Sequence, residues 1–510
     1  MAFTSGVPAA LQPTQTKALY SGNYIDFTDS SFNQWAQQFL PDVYEQEVER
    51  YGNRSIGSFL RMVSAEMPST SDQIIWTEQG RLHTRYANIV YLSNAGTMPT
   101  TGTTPGTASA VTTGGSVGNF FVPTSQPTSL GVTSQGTTAV NFRKGQTVMI
   151  QAQTSATSAI GGTGAMIKGI VTNVSGQYFQ VKAYGGVPAI TNAQRFTALA
   201  YGSEFAKGSS NFTEKLDPSY ATFTNSPVIL KEHYSINGSD TAQIGWIEVT
   251  SENGASGYLW YLKSEHENRL RFEDYLEMSM VEGVKQLNTG ATLNFYDSAL
   301  TATAKGTEGF FEAIEARGNV YSGFGAQAAG GGALTDFDAV LVQLDKQGAI
   351  EENMLFLDRN LSLEIDDILA QQNGGYSGGT SFGVFNNSED MALNLGFTGY
   401  RRGSYDFYKT DWKYLNDFST RGGFGDIEGV LVPAGTSTVY DQVLGQNIKR
   451  PFLHIRYRAS ETENRKMKSW VTGSVGGPSS SPIDEMRMHY LSERCLIVQG
   501  ANNFVLFKNA

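Results

Sequence analysis

Residues 258–287 read YLWYLKSEHENRLRFEDYLEMSMVEGVKQL, with no proline and a single glycine, Gly283, near the end. Leu259, Leu262, Leu270, Leu276, Met280, Val284 and Leu287 fall in one wide sector of a 3.6-residue period, so the stretch predicts a helix with one buried side. Glu265 precedes Arg269 by four residues and Glu267 precedes Arg271 by four, the order that supports an exposed helical face. At 1.5 Å per residue the rod would be about 45 Å long. His266, Glu273 and Glu277 interrupt the apolar stripe, which favours a rod lying on a sheet or on neighbouring subunits over one inside a closed bundle.

The totals narrow what such a rod can belong to. A chain of 510 residues holds two to four domains. Only 17% of it is charged, 40% is hydrophobic and there are 56 glycines, a composition of strands and loops. The net charge of −11 opposes a generally basic nucleic-acid surface. Cys495 is the one cysteine, so no intrachain disulfide and no cysteine cluster for zinc can form. The start, MAFTSGVPAALQPTQTKALYSG, lacks a basic segment followed by an apolar core, and no apolar run reaches the ~18 residues of a membrane span. The expectation is a soluble protein made in the cytoplasm.

Outward from the rod, the two flanks differ in kind. Residues 1 to about 30 read as an extended arm, followed by short helices opening at Ser30 or Ser31 and at Pro41, and a third over Ile56–Val63 that ends before Pro68. QIIWTEQGRLHTRYANIVYLSNAG, from Gln73, pairs β-rich runs around Gly80 as a hairpin or a long two-stranded excursion. A Thr/Ser/Gly segment, 95–138, is anchored at most by Phe120, Phe121 and Val122. FRKGQTVMIQAQ, AMIKGIVTNV and QYFQVKAYGG are short strands of a small barrel or sandwich, the last two joined by Ser175-Gly176. Tyr178, Phe179 and Tyr184 invite base stacking, yet few basic residues interleave with them, and a core role is favoured. The return leg, 196–249, carries Pro227 as an edge marker and Asn237-Gly238 as a turn.

Beyond the rod the pattern is mixed. Helices are expected at Thr307–Gly318, at Leu334–Gly348 with Phe337, Val340, Leu341 and Leu344 inward, and at Asn360–Gln371. SGFGAQAAGGG is expected as a flexible loop. Strands are expected at Met354–Leu357, Asp406–Trp412, Gly429–Val432, Phe452–Tyr457, Lys468–Thr472 and in CLIVQGANNFVLF, which makes a sheet with helices on its faces.

Chemistry is hard to place on this chain. Gly379–Gly383 (GTSFG) matches a nucleophile elbow around Ser381, but no apolar strand leads into it. Gly323–Ala328 (GFGAQA) resembles a dinucleotide turn without a preceding strand. Glu265-His266-Glu267 point in different directions on a helix, and His83, His233, His266, His454 and His489 are scattered. The pairs Asp336/Asp338 and Asp366/Asp367 fit glycoside hydrolysis formally, but helix-start and solvated-face positions explain them better. The expectation is no enzyme, with no catalytic, cofactor-binding or metal-binding residues.

The order of parts is similar to the major capsid protein of tailed phages, the Hong Kong 97-like fold, and its length, insertion and acidity look like those of crAss-like phages. The resemblance is one of layout over most of the chain. It implies an α+β fold: 1–71 an N-terminal arm with short helices, 72–249 an extended E-loop region with a β insertion at about 140–200, and 250–306 the spine helix and start of the peripheral (P) domain. Residues 307–445 would be mostly axial (A) domain, and 446–510 the closing P-domain strands. It further implies a virion shell protein, assembled in the host cytoplasm as hexamers and pentamers around phage DNA it does not read, with portal and decoration proteins as partners and no membrane. Independently of any family, an excursion of this length would be an open edge in a monomer. A neighbouring copy's rod would cover it, with the N-terminal arm beneath the next copy. The competing readings are a carbohydrate-binding virion fibre or adhesin, suggested by the Gly/Thr-rich segments and 24 tyrosines, and a polysaccharide-degrading enzyme.

Overall fold

A computed structural model describes residues 59–60, 65–79, 83, 85–93, 96–98, 115–123, 140–152, 166–187, 195–212, 220–241, 249–250, 256–257, 260–285, 305–323, 332–348, 350–365, 398–417, 420–441, 446–477 and 479–509. The expected arm, the first two short helices, Ser381 and the 324–331 loop lie outside them; of the third helix, Phe59 and Leu60 are described, and both are helical. Before the long helix come β1 (Ala65–Ser69), β2 (Ile74–Gln79), β3 (Arg85–Ser93), β4 (Val117–Phe121), β5 (Gln146–Ala152), β6 (Ile167–Ser175), β7 (Tyr178–Ala183), β8 (Arg195–Ser203), β9 (Tyr220–Asn225), β10 (Val228–Asn237) and the short pair β11 (Val249–Thr250) and β12 (Ser256–Gly257). The helix itself is α1 (Trp260–Glu282). After it come α2 (Phe310–Arg317), β13 (Asn319–Ser322), α3 (Gly332–Gln347), β14 (Glu352–Leu357), β15 (Thr398–Arg402), β16 (Tyr405–Asp411) and β17 (Ile427–Pro433). The chain closes with β18 (Thr436–Asp441), β19 (Gln446–Pro451), β20 (Leu453–Arg458), β21 (Lys468–Gly473), β22 (Glu485–Val498) and β23 (Val505–Lys508). The fold is mixed and mostly strand. It divides into two compact units, Met1–Trp76 with Thr224–Ala510, and Thr77–Phe223.

In the first unit α1 is 23 residues long, about 35 Å, shorter than its sequence pattern. Gly283 ends it because another segment crosses there: a Cβ on Gly283 would stand 2.7 Å from the Thr307 carbonyl oxygen, and Gly309 N–H donates to Gly283 O at 2.8 Å. Val284, expected inward, is therefore past the helix and exposed. Phe272 and Leu276 pack on Tyr490 of β22, with Leu230 of β10 and Met467, while Met280 and Val281 enter the main core. Glu277, an interruption in the stripe, is buried because its carboxylate accepts the Phe59 and Leu60 amides at 3.1 and 3.4 Å. Arg269 pairs with Glu273 at 3.4 Å, and Glu265 accepts the Tyr490 hydroxyl at 3.2 Å.

One sheet of this unit runs β1-β20-β22-β10, with β21 also on β22. Pro68 does not end a helical region; it sits in β1, an edge strand parallel to β20, where proline's missing donor is tolerated. Glu66 pairs with Lys466 and Arg494, and Asp72 with Arg458, so ionic contacts flank the edge strand. The second sheet runs β13-β23-β17-β14-β16-β15. Alternate residues of its central strands face two cores. Phe356, Val430, Val432 and Leu506 join Phe310, Phe311 and Ile314 of α2 and Leu453, Ile455, Leu496 and Val498 of the first sheet. Leu355, Leu357, Leu431, Val505 and Phe507 join Phe337, Val340 and Leu344 of α3. Coverage on both faces is why these strands read as continuous apolar runs. β23, expected to close the sheet of β20 and β22, instead enters the six-stranded one.

The second unit is a closed barrel, β3-β4-β7-β6-β5-β8. The β module read at about 140–200 is wider in sequence, since β3 and β4 complete it. Phe120 and Val122 are buried as expected, and Phe121 packs at 5.1 Å on Tyr178. Gly176 takes the left-handed φ of 56° that its two-residue turn demands. The hairpin expected around Gly80 does not form: β2 pairs with β9, and β3 with β4 and β8. The partner of β2 comes instead from the return leg.

At the end of β9, Asn225 is fully buried. Its amide nitrogen donates to Glu308 O (3.0 Å) and Leu496 O (2.6 Å), and its oxygen accepts Glu308 N–H (2.9 Å) and the Thr307 hydroxyl (3.2 Å). Replacing Asn225 by Leu strands these partners, each worth about 1–3 kcal/mol when left unpaired in the interior. The expected outcome is a loss of about 3 kcal/mol or more in urea unfolding of Asn225→Leu, against about 0.5 kcal/mol or less for the exposed Ser235→Ala.

Candidate assembly surfaces

Among the described residues, those singled out for chemistry do not converge. Asp338 holds Arg402 through two contacts of 2.5 and 2.8 Å, and Asp336 accepts the Tyr321 hydroxyl. Asp366 and Asp367 lie outside the described residues, as does Gly323–Ala328 apart from Gly323. Cys495 is buried, which pushes its thiol up to about 12. Among the described residues no group of three or more His, Cys, Asp or Glu is placed to hold a metal, and no helix is long and apolar enough to cross a membrane. Tyr178 and Phe179 are buried in the barrel, so neither offers a free stacking face; Tyr184 is exposed, with its hydroxyl donated to Glu204.

Two groupings escaped the sequence reading because strand register, which no local pattern encodes, creates them. β10 and β22 set His233 directly opposite His489 with ring centroids 6.3 Å apart, and Trp470 of β21 stacks on His489 at 5.1 Å. Thr472 Oγ1 lies 2.8 Å from His489 Nε2. Burial, then Arg487 and His233, hold the His489 imidazole below its usual range. The second grouping is acidic. Glu428 on β17 is lifted to about 7 by burial and by Asp358 and Glu364. Asp358 is itself raised by burial while it caps the helical residues after it, accepting Leu361 N–H at 2.8 Å.

What the described residues do present is unfinished β structure. β2 and β9 form a two-stranded ribbon, and such a ribbon has too little covered area to be stable in water alone. Trp76 on β2 is buried beside the Arg317 guanidinium, but Ile75 is 60% and Tyr220 58% exposed. Among the described residues β10 pairs only with β22, β15 only with β16 and β13 only with β23, so each leaves one edge open. Phe424 and Ile483, 79% and 58% exposed, add apolar loop tips.

No family model and no curated protein matches the chain. Solved structures give partial likenesses. The capsid structure of the cyanophage P-SCSP1u aligns over 61% of this chain and 80% of its own, at 9% identity and a TM-score of 0.31. The Microbacterium phage Oxtober96 structure aligns over 92% and 97%, at 8% identity and 0.33. The asymmetric unit of the bacteriophage PhiM1 mature capsid aligns over 61% and 79%, at 7% identity and 0.31. At such scores the likeness establishes neither family nor function.

Glu428 generates a pH prediction. Its folded value, about 7, lies above the ordinary 4.5, so the folded state binds the extra proton and stability falls as pH rises from about 4.5 through 7. Glu428→Gln removes that loss. The variant is expected to melt at a higher temperature than the parent at pH 8, with a much smaller gap at pH 5; equal gaps at both would contradict the assignment.

Proposed function

We propose that this chain is a structural subunit of a phage capsid, a major capsid protein of the Hong Kong 97-like kind. Many copies close into an icosahedral shell around double-stranded DNA. In this reading α1 is the spine helix of the P-domain, lying on the sheet built around β22. The six-stranded sheet with α3 belongs to the A-domain, and residues 72–249 are the E-loop region with the barrel as its insertion. Hexamers and pentamers assemble in the host cytoplasm, with portal and decoration proteins as further partners. In the same reading, the length, the β insertion and the acidic composition resemble those of crAss-like phage capsid proteins. DNA is contained without being read, in keeping with the net charge of −11.

The observation that supports this reading is the β2–β9 ribbon with Ile75 and Tyr220 in water. A second copy of the same chain is the one partner always present in stoichiometric amount, and closed symmetric assembly multiplies modest contacts.

Sedimentation and electron microscopy of the purified chain test it. Large uniform particles are expected, and Ile75→Glu with Tyr220→Lys is expected to raise the concentration needed for assembly at least tenfold while leaving the circular dichroism spectrum intact. Monomers at every concentration, or unchanged assembly of the double variant, would count against the reading.

A further inference from the structure

The barrel strands sort their side chains by alternation. Val148, Ile150, Ile167, Val171, Phe179 and Val181 face inward. The opposite set on β8, β5, β6 and β7 is therefore the outer face. Register aligns Leu199, Met149 and Lys168 across three strands, and Ile170 and Lys182 across two in the next row. Tyr184 and Tyr201 are 54% and 52% exposed, and Met166 is 44% exposed. Lys168 and Lys182 are exposed between these apolar groups. Exposed aromatic rings and methionines are the make-up of a protein contact rather than of a solvated face, and lysines suit its rim.

Charge says what the contact fits. Residues 77–223 hold nine Lys and Arg against four Asp and Glu (Glu78, Glu204, Glu214, Asp217), a formal +5. The whole chain is −11, so the remainder is −16. Both units are at equal stoichiometry in any population of this protein. We propose that the outer face of the barrel, on β8-β5-β6-β7, docks on the acidic unit of a second copy. This inference rests on the shell reading and adds to it which surface makes one contact and what holds it. Tyr184, Tyr201 and the methionines supply the desolvated centre, while Lys168 and Lys182 steer approach and select an acidic partner. Exposed ion pairs are individually weak and are screened within ~8–10 Å at ordinary ionic strength, so association must weaken with salt. Two exposed lysines are too few to track a phosphate backbone, so a nucleic-acid groove is the poorer fit.

The test uses the full chain. Sedimentation velocity in 50 and 500 mM NaCl compares the parent with Lys168→Glu/Lys182→Glu, and with Lys168→Gln/Lys182→Gln in case the reversed charges disturb folding. The parent is expected to need at least tenfold more protein to associate at high salt. Each variant is expected to need at least tenfold more at low salt, with an unchanged melting temperature. Variants that associate within twofold of the parent at both salts overturn the inference and leave the shell reading standing. A parent that stays monomeric sinks both. Variants that assemble normally but lose binding to a single-stranded oligonucleotide reassign the face to nucleic acid and overturn it as well.

Discussion

The Asn225 side chain uses all four of its hydrogen-bonding positions away from water, joining three stretches that are distant in sequence. It sits where the strand returning from the barrel unit ends. It holds the Thr307–Glu308 turn that leads into α2, and the middle of β22 at Leu496. β22 is the strand on which β10, β20 and β21 all pair, and α1 rests on it through Tyr490. An amide satisfied on every side fixes a geometry that apolar packing alone would leave degenerate. Beside it the close approach of Gly283 and Gly309 stops the helix.

Much of this was legible because both local period and burial pointed the same way. α3 and β14 appeared where their apolar residues placed them, since Phe337, Val340 and Leu344, and Leu355 and Leu357, meet in one core. The barrel strands β5, β6 and β7 were legible from their alternation and from the Ser175-Gly176 turn. Helix length was over-read because the apolar period continues through Val284, while the stop is set by a crossing segment 24 residues further on, at Thr307. β1 was missed because Pro68 reads as a breaker, and only the parallel pairing to β20 makes it an edge strand. β4 lies in a Thr/Gly-rich run whose strand character comes from its barrel neighbours. The candidate surfaces were less legible still. His233 and His489, or Asp358 and Glu428, are brought together by register and turn geometry. The ribbon partner of β2 lies some 140 residues away in β9.

The described surface carries features that favour association between copies. Of the acidic pairs that the sequence offered, Asp336 and Asp338 are occupied with Tyr321 and Arg402, and register sets Glu428 near Asp358 and Glu364, which lift its carboxyl. By contrast the ribbon and the outer barrel face carry apolar groups in water, and the two units carry opposite charge. A monomer gains nothing from either feature. Copies of the chain would gain from both, one through burial and the other through specificity of approach.

Hydrogen–deuterium exchange of the full chain, followed at rising protein concentration, measures the central claim most directly. The account predicts that amides of Ile74–Gln79 and Tyr220–Asn225 exchange rapidly in dilute protein and become protected as particles form, while the barrel core stays protected throughout. Full protection of both strands in a demonstrated monomer, unchanged by concentration, would contradict it.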